Sequence, residues 1–88
     1  MSAANFISIE KNIRIFPNPA TTILQINMGN VSLENEIQNI SIYDLKGSLV
    51  YKTGRFSAVL DIKNVSKGTY LVKIQFTNSV VTKKLIVE

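Results

Sequence analysis

Few side chains in this 88-residue sequence could carry out chemistry, because it contains neither histidine nor cysteine. That composition removes the usual general base, the thiol nucleophile and the commonest ligands of transition metals. Two aspartates, Asp44 and Asp61, remain as a pair that could act as acid and base in the manner of a glycosidase. Asp44, however, opens the stretch Asp44-Leu45-Lys46-Gly47, where Asp first and Gly last favour a β-turn. We therefore expect Asp44 to be a turn residue and the chain not to be an enzyme.

Motifs that bind cofactors or nucleic acids are not found in the sequence. The glycines Gly29, Gly47, Gly54 and Gly68 are too far apart to form a phosphate-binding loop. Neither zinc-ligand spacing nor the aromatic pattern of RNA-binding modules occurs. No run approaches the roughly 18 apolar residues of a membrane-spanning helix. We expect no cofactor, no metal, no nucleic-acid partner and no insertion into a membrane.

Charge is divided unevenly along the chain. Residues 1–45 carry two basic and four acidic side chains, net −2, whereas residues 46–88 carry eight basic and two acidic ones, net +6. A basic half can attract nucleic acid, anionic lipid or an acidic protein. The interpretation we favour is that the lysines solubilise strand faces and edges.

Residues 1–12 lack the features of a secretory signal peptide and are expected to be a linker or a cloning remnant, followed by one domain over residues 13–88.

The elements that must position these residues are strands. The stretch from Thr69 to Phe76 alternates, with Tyr70, Val72, Ile74 and Phe76 on one face. Seven short strands with turns every 8–12 residues predict an all-β fold, an Ig-like or fibronectin-like antiparallel β-sandwich. The predicted strands involve Ile13–Phe16, Leu24 to Met28, Ile40 to Tyr43, Leu49–Lys52, Ser57–Ile62, Thr69–Phe76 and Val80–Val87.

The last strand contains adjacent lysines, Lys83 and Lys84. One of them must fall on the face that is buried, unless the strand is bulged or lies at a sheet edge. Paired lysines on an edge strand discourage unwanted strand pairing, and a lysine stem can lie along apolar surface with its ammonium in water. We predict that Val80–Val87 is an edge strand.

Several short motifs occur in order along most of the sequence. They are Phe16-Pro17-Asn18-Pro19, Leu24 with Ile26, Ile42-Tyr43-Asp44 with Gly47, Leu60-Asp61-Ile62, Gly68 to Ile74, and Lys83 to Val87. Each motif is weak alone, but as an ordered set over residues 13–87 they resemble the type A C-terminal sorting domain of the type IX secretion system.

The resemblance implies a β-sandwich that directs a larger fused cargo protein through the outer-membrane translocon of a Gram-negative bacterium. It implies passage through the periplasm and a final location in the medium or on the outer-membrane surface. A sortase-like surface protease would then remove the domain. The implied partners are thus the cargo, the translocon and the protease.

Nine residues are candidates for recognition by that machinery, and each also has a structural interpretation. The prolines make a rigid loop that either sets strand entry or presents a surface. The glycines suit special backbone geometry, and Tyr70 suits the core. The lysines suit either contact with the translocon or protection of an edge, and an exposed last strand could dock by β-augmentation. The nine are Pro17, Asn18, Pro19, Asp44, Gly47, Gly68, Tyr70, Lys83 and Lys84.

Two other classes of function compete with a sorting signal. A fibronectin-like or carbohydrate-binding accessory domain would hold a secreted enzyme on its substrate, although the lack of tryptophan weakens a sugar platform. A plain spacer domain is the second. An open edge strand also leaves room for a weak homodimer.

Overall fold

The computed structural model describes residues 13–29, 36–54, 56–77 and 79–88. The predicted linker, residues 1–12, lies outside these ranges. Seven strands occur: β1 (Arg14–Phe16), β2 (Ile23–Asn27), β3 (Ile37–Asp44), β4 (Leu49–Thr53), β5 (Val59–Asp61), β6 (Gly68–Phe76) and β7 (Val80–Val87). The described ranges contain no helix of the length and apolar character needed to cross a membrane.

The strands form two antiparallel sheets, which confirms the predicted all-β sandwich. One sheet has the order β1-β2-β5 and the other the order β4-β3-β6-β7. In Ig-like terms, the first holds strands A, B and E, and the second holds C, F and G with the fourth strand added beside C. The prediction for β3 was too short, since pairing with β6 extends it back to Ile37 across an irregularity between Ile37 and Asn39.

The inward faces of both sheets make a single apolar core. Its centre on the four-stranded sheet is Ile40, Ile42, Val72 and Ile74, all fully buried, and Leu24 and Leu60 face them from the smaller sheet. Burying each such side chain contributes about 1.5 to 3 kcal/mol. In a chain of this size that contribution matters, because the whole domain is expected to be stable by only about 4 to 13 kcal/mol.

Strand β6 shows most clearly why this sequence forms these sheets. Its alternating residues Tyr70, Val72, Ile74 and Phe76 are all buried, as predicted, and it lies between β3 and β7. An antiparallel sheet commonly packs one face on the core and leaves the other in solvent, which accounts for the apolar face and the mixed face of β6. The lysine-bearing strand β7 lies outside it, at the sheet edge, which confirms the predicted edge position.

Candidate recognition site

The loop Phe16-Pro17-Asn18-Pro19 leads from β1 to the outer edge of β7. The peptide bonds before Pro17 and Pro19 are both cis. Between them, the Asn18 side chain bonds the main chain of β7 at two points. Its Nδ2 donates to the carbonyl of Lys84 at 3.0 Å, and its Oδ1 accepts from the N–H of Ile86, also at 3.0 Å. The amide of Asn18 therefore takes the place that a neighbouring strand would occupy.

Ala20 continues this pairing with its own main chain. Its N–H donates to the carbonyl of Ile86 at 2.8 Å, and its carbonyl accepts from the N–H of Glu88 at 2.8 Å. These bonds make a parallel bridge between Ala20 and Val87, and Ala20 is fully buried. The segment 18–20 thus acts as a short parallel partner that covers the C-terminal half of the β7 edge.

Because the 18–20 segment covers part of the β7 edge, only the rest of that edge could be open to an added strand. Because Ile86 directs its N–H and carbonyl away from β6, alternation along the strand directs those of Val80, Thr82 and Lys84 the same way. The Lys84 carbonyl and both groups of Ile86 are bonded by the 18–20 segment. Any added strand would therefore find its open edge at Val80 and Thr82, in the first half of β7.

The two adjacent lysines lie on opposite faces of β7. Lys83 shares the phase of the buried residues Val81 and Leu85, and it is half-buried. Lys84 is exposed on the outward side, opposite Leu71 of β6. The pairing of β6 with β7 runs through both residues without a shift in register, so no bulge is needed. Of the two alternatives given by the sequence, the edge position explains how Lys83 is accommodated.

Asp44 and Gly47 form the turn that joins β3 to β4. The Asp44 carboxylate accepts from the N–H groups of Lys46 and Ser48, both at 2.9 Å, and the Gly47 N–H donates to the Asp44 carbonyl at 3.0 Å. Gly47 has a φ of 91°, in the region that favours glycine. The predicted role of Asp44 in a turn is confirmed, and its carboxylate is occupied by that turn.

Gly68 and Tyr70 open β6 in a similarly constrained way. Gly68 has a φ of 154°, and an added Cβ would lie 3.6 Å from the Tyr70 ring. Tyr70 is 7% exposed, and its hydroxyl donates to the carbonyl of Ser66, four residues earlier. This arrangement has the form of the tyrosine corner of Ig-like sandwiches, in which the hydroxyl fixes the loop before the strand.

The sheet register brings most of the candidate residues toward one end of the four-stranded sheet, while Lys83 lies level with Val72 in its interior. Asp44 pairs with Tyr70, which pairs with Leu85. Gly68 pairs with Val87, which bridges to Ala20 beside the Pro-Asn-Pro loop. Residues far apart in sequence thus share a contiguous region, where main-chain bonds hold the first loop, the last strand and the β3–β4 turn together.

The two aspartates belong to different sheets, and each accepts hydrogen bonds from its own turn. Asp61 ends β5 in the smaller sheet, where Oδ1 accepts from the Lys63 N–H at 3.1 Å and Oδ2 lies 3.9 Å from Lys63 Nζ. Both aspartates therefore serve local turns in different sheets. In the part of the chain that the structure covers, no three acidic side chains are grouped so as to hold a metal ion.

Sequence reasoning missed the partners of these residues. It did not find that Ile86 and Glu88 bond the segment after the prolines, or that Ser66 receives the Tyr70 hydroxyl. The single available signal for the first was the asparagine itself, because its side chain carries the acceptor and donor of a peptide group and prolines on both sides leave that segment short of main-chain donors.

Comparison with known protein families identifies the one to which this sequence is similar. Residues 14–88 match the family described as the secretion system C-terminal sorting domain. The matched range includes every strand of the sandwich and the whole of the candidate recognition site. No curated protein matches the chain.

Proposed function

Because this chain belongs to the C-terminal sorting domains of the type IX secretion system, we propose that it directs a larger fused cargo protein through the outer-membrane translocon. The observation that carries the proposal is the family match over residues 14–88, which spans all seven strands. The cargo would reach the cell surface or the medium after crossing the periplasm.

The role proposed for the domain is recognition without catalysis. Supporting this, the Asp44 and Asp61 carboxylates are engaged in turn hydrogen bonds. The nine candidate residues offer two kinds of contribution. Asn18, Gly47, Gly68 and Tyr70 shape the fold by the bonds and backbone angles described above, whereas the exposed Lys84 is free to meet a partner at its ammonium group.

We further propose that a sortase-like protease removes the domain after export. The first described strand begins at Arg14, with Ile13 buried just before it. A protease cuts segments that can enter its cleft in an extended form, and the paired strands of a sandwich cannot do so. Cleavage N-terminal to Ile13 would release all seven strands as one folded piece.

The experiment that tests the sorting role is a transplant. Residues 1–88 are fused to the C-terminus of a fluorescent reporter with a signal peptide, and the fusion is expressed in a strain with a working type IX system and in its translocon mutant. We expect reporter at the surface or in the medium of the competent strain alone, shortened by about the mass of this domain. Full-length reporter retained in the periplasm of both strains would contradict the proposal.

The same retained reporter would favour the accessory-domain alternative, which saturable binding of the domain to polysaccharides would then support.

Self-association is a separate prediction of the open half of the β7 edge. Sedimentation velocity across a range of concentrations measures it, and a monomer at millimolar concentration would exclude it.

A further inference from the structure

The outer face of the four-stranded sheet combines lysines with apolar side chains in two rows. One row runs Lys52, Ser41, Lys73 and Thr82 across β4, β3, β6 and β7. The next runs Leu49, Tyr43, Leu71 and Lys84 across the same strands. We call the outward side chains of Lys52, Lys73, Lys84, Leu49, Tyr43 and Leu71 the basic face.

The three lysines of this face are close enough to act together. Two strand spacings separate Lys52 from Lys73, roughly 10 Å, and Lys73 and Lys84 are diagonal neighbours at about 7 to 8 Å. These separations are comparable to the screening length of about 8 Å at physiological ionic strength, so the potentials of the three ammonium groups add. All three residues are exposed.

Acidic residues in the described ranges lie away from the outward positions of these strands. Asp44 has an inward position and is bonded within its turn, and Asp61 belongs to the other sheet. Glu36 precedes β3, and Glu88 follows β7. Among the described residues, the face therefore has a positive charge that no carboxylate at an outward position of these strands offsets.

Edge protection does not account for all of this charge. Lys52 and Lys84 belong to the edge strands β4 and β7, where lysines discourage strand pairing. Lys73 belongs to β6, which is bonded on both sides and needs no such protection. Its Nζ lies 5.0 Å from the centre of the Tyr43 ring, which places the cation beside the apolar row.

We propose that the basic face docks on a protein surface in which carboxylates surround a small apolar patch. The apolar row indicates that the partner is a protein and not a simple polyanion. Leu49 is 50% exposed, and Tyr43 and Leu71 are partly exposed beside it. Protein interfaces have an apolar, aromatic centre and a polar rim, whereas a polyanion needs the cations alone.

The size of the face sets the kind of complex. Four strands and about four residues along each cover roughly 20 by 13 Å, or about 260 Å² on this partner. Stable interfaces bury about 800 Å² per partner, so this contact belongs to the weak, transient class. Such a contact suits a signal that is read once and released, and in this respect the inference rests on the proposed function.

The test compares two charge-reversed pairs in the reporter fusion. Lys73→Glu/Lys84→Glu reverses two charges on the basic face, and Arg14→Glu/Lys67→Glu makes the same change in net charge at exposed positions off it. Opposed like charges weaken docking strongly. We expect about tenfold less exported reporter from the first pair and no more than a twofold change from the second.

The outcomes separate this inference from the sorting role. Loss of export with the original sequence would remove the sorting role itself. Normal export of the original fusion with equal export of the two pairs would overturn the basic face alone. If circular dichroism shows that the first pair is unfolded, Lys73→Gln/Lys84→Gln replaces it, and normal export of that folded variant would also overturn the inference.

Photo-cross-linking identifies the class of partner. Benzoylphenylalanine replaces Thr82, which pairs with Lys73 at the border of the basic face, or Ile23, which is 41% exposed on the other sheet. We expect an adduct from position 82 in the competent strain that proteinase K digests and that the Lys73→Glu/Lys84→Glu pair abolishes. Equal adducts from both positions would overturn the proposal, as would an adduct of protease-resistant carbohydrate.

Discussion

The Oδ1 atom of Asn18 accepts a hydrogen bond of 3.0 Å from the N–H of Ile86, 68 residues further along the chain. Together with the bond from Asn18 Nδ2 to Lys84, it fastens the loop after β1 to the free edge of β7. One short side chain thereby satisfies two main-chain groups of an edge strand, which would otherwise be open to another chain.

Replacing Asn18 by alanine should destabilise the domain by about 1 to 2 kcal/mol, because each exposed hydrogen bond contributes about 0.5 to 1.5 kcal/mol net. Urea denaturation followed by circular dichroism measures the change. Asn64→Ala is the matched control, since Asn64 is an exposed turn residue in the connection of residues 62–67 between β5 and β6. Equal midpoints for the two variants would show that the Asn18 bonds contribute nothing to stability.

Gly68→Ala should cost about 1 to 3 kcal/mol, because an L-residue is strained at a φ of 154°. The new Cβ would make an ordinary van der Waals contact with the Tyr70 ring at 3.6 Å, so the cost comes from the backbone angle. Gly54→Ala provides the contrast, since Gly54 has no positive φ and no atom within 4 Å of a new Cβ. It should be neutral or stabilise by about 0.5 kcal/mol. The midpoint of thermal unfolding measures both effects. An unchanged midpoint for Gly68→Ala would show that the backbone angle at residue 68 does not strain an L-residue.

Tyr70→Phe should lower stability by about 1 kcal/mol through loss of the bond to the Ser66 carbonyl. The ring stays buried, so the cost of a cavity does not enter. Tyr51→Phe removes a hydroxyl from a half-buried tyrosine that packs against the same core, and it should change stability by less than about 0.5 kcal/mol. Denaturant midpoints compare them. A larger loss from Tyr51→Phe would mean that the Tyr70 corner is not what fixes the loop before β6.

Ile74→Ala should destabilise the domain by about 2 to 5 kcal/mol, because Ile74 is fully buried on the central strand and its loss leaves a cavity. That cost is comparable to the total stability expected for 88 residues. Leu45→Ala, at a residue 68% exposed, should cost less than about 0.5 kcal/mol. The near-ultraviolet circular dichroism and the unfolding midpoint should separate the two variants, and similar values would contradict the observed core.

The sequence was sufficient for the strands and insufficient for their long-range partners. Alternation marked β6 because a two-residue period is local and is written directly in Tyr70, Val72, Ile74 and Phe76. The turn at Asp44 was predictable for the same reason, since its bonds reach only two to four residues ahead. The paired lysines of β7 partly distinguished this edge strand from the central strands of its sheet.

The docking of the Pro-Asn-Pro loop could not be predicted in this way. Asn18 meets β7 across separations of 66 and 68 residues, and no periodic pattern encodes such a distance. The basic face was equally hidden, because Lys52, Lys73 and Lys84 become neighbours only through the register of four strands. The sequence showed that the second half of the chain is basic. The pairing of the strands places some of those lysines together on one face of the four-stranded sheet.

The bond from Glu88 to Ala20 has a consequence for the order of folding. Contacts between the first loop and the last strand have a sequence separation close to the length of the domain, and contacts of this kind slow folding. A nascent chain that has not yet emerged as far as residue 84 offers Asn18 and Ala20 no partner. The sandwich therefore closes only after synthesis of the domain has reached its final strand. Any receptor that binds the closed form would bind a cargo whose own translation is already complete.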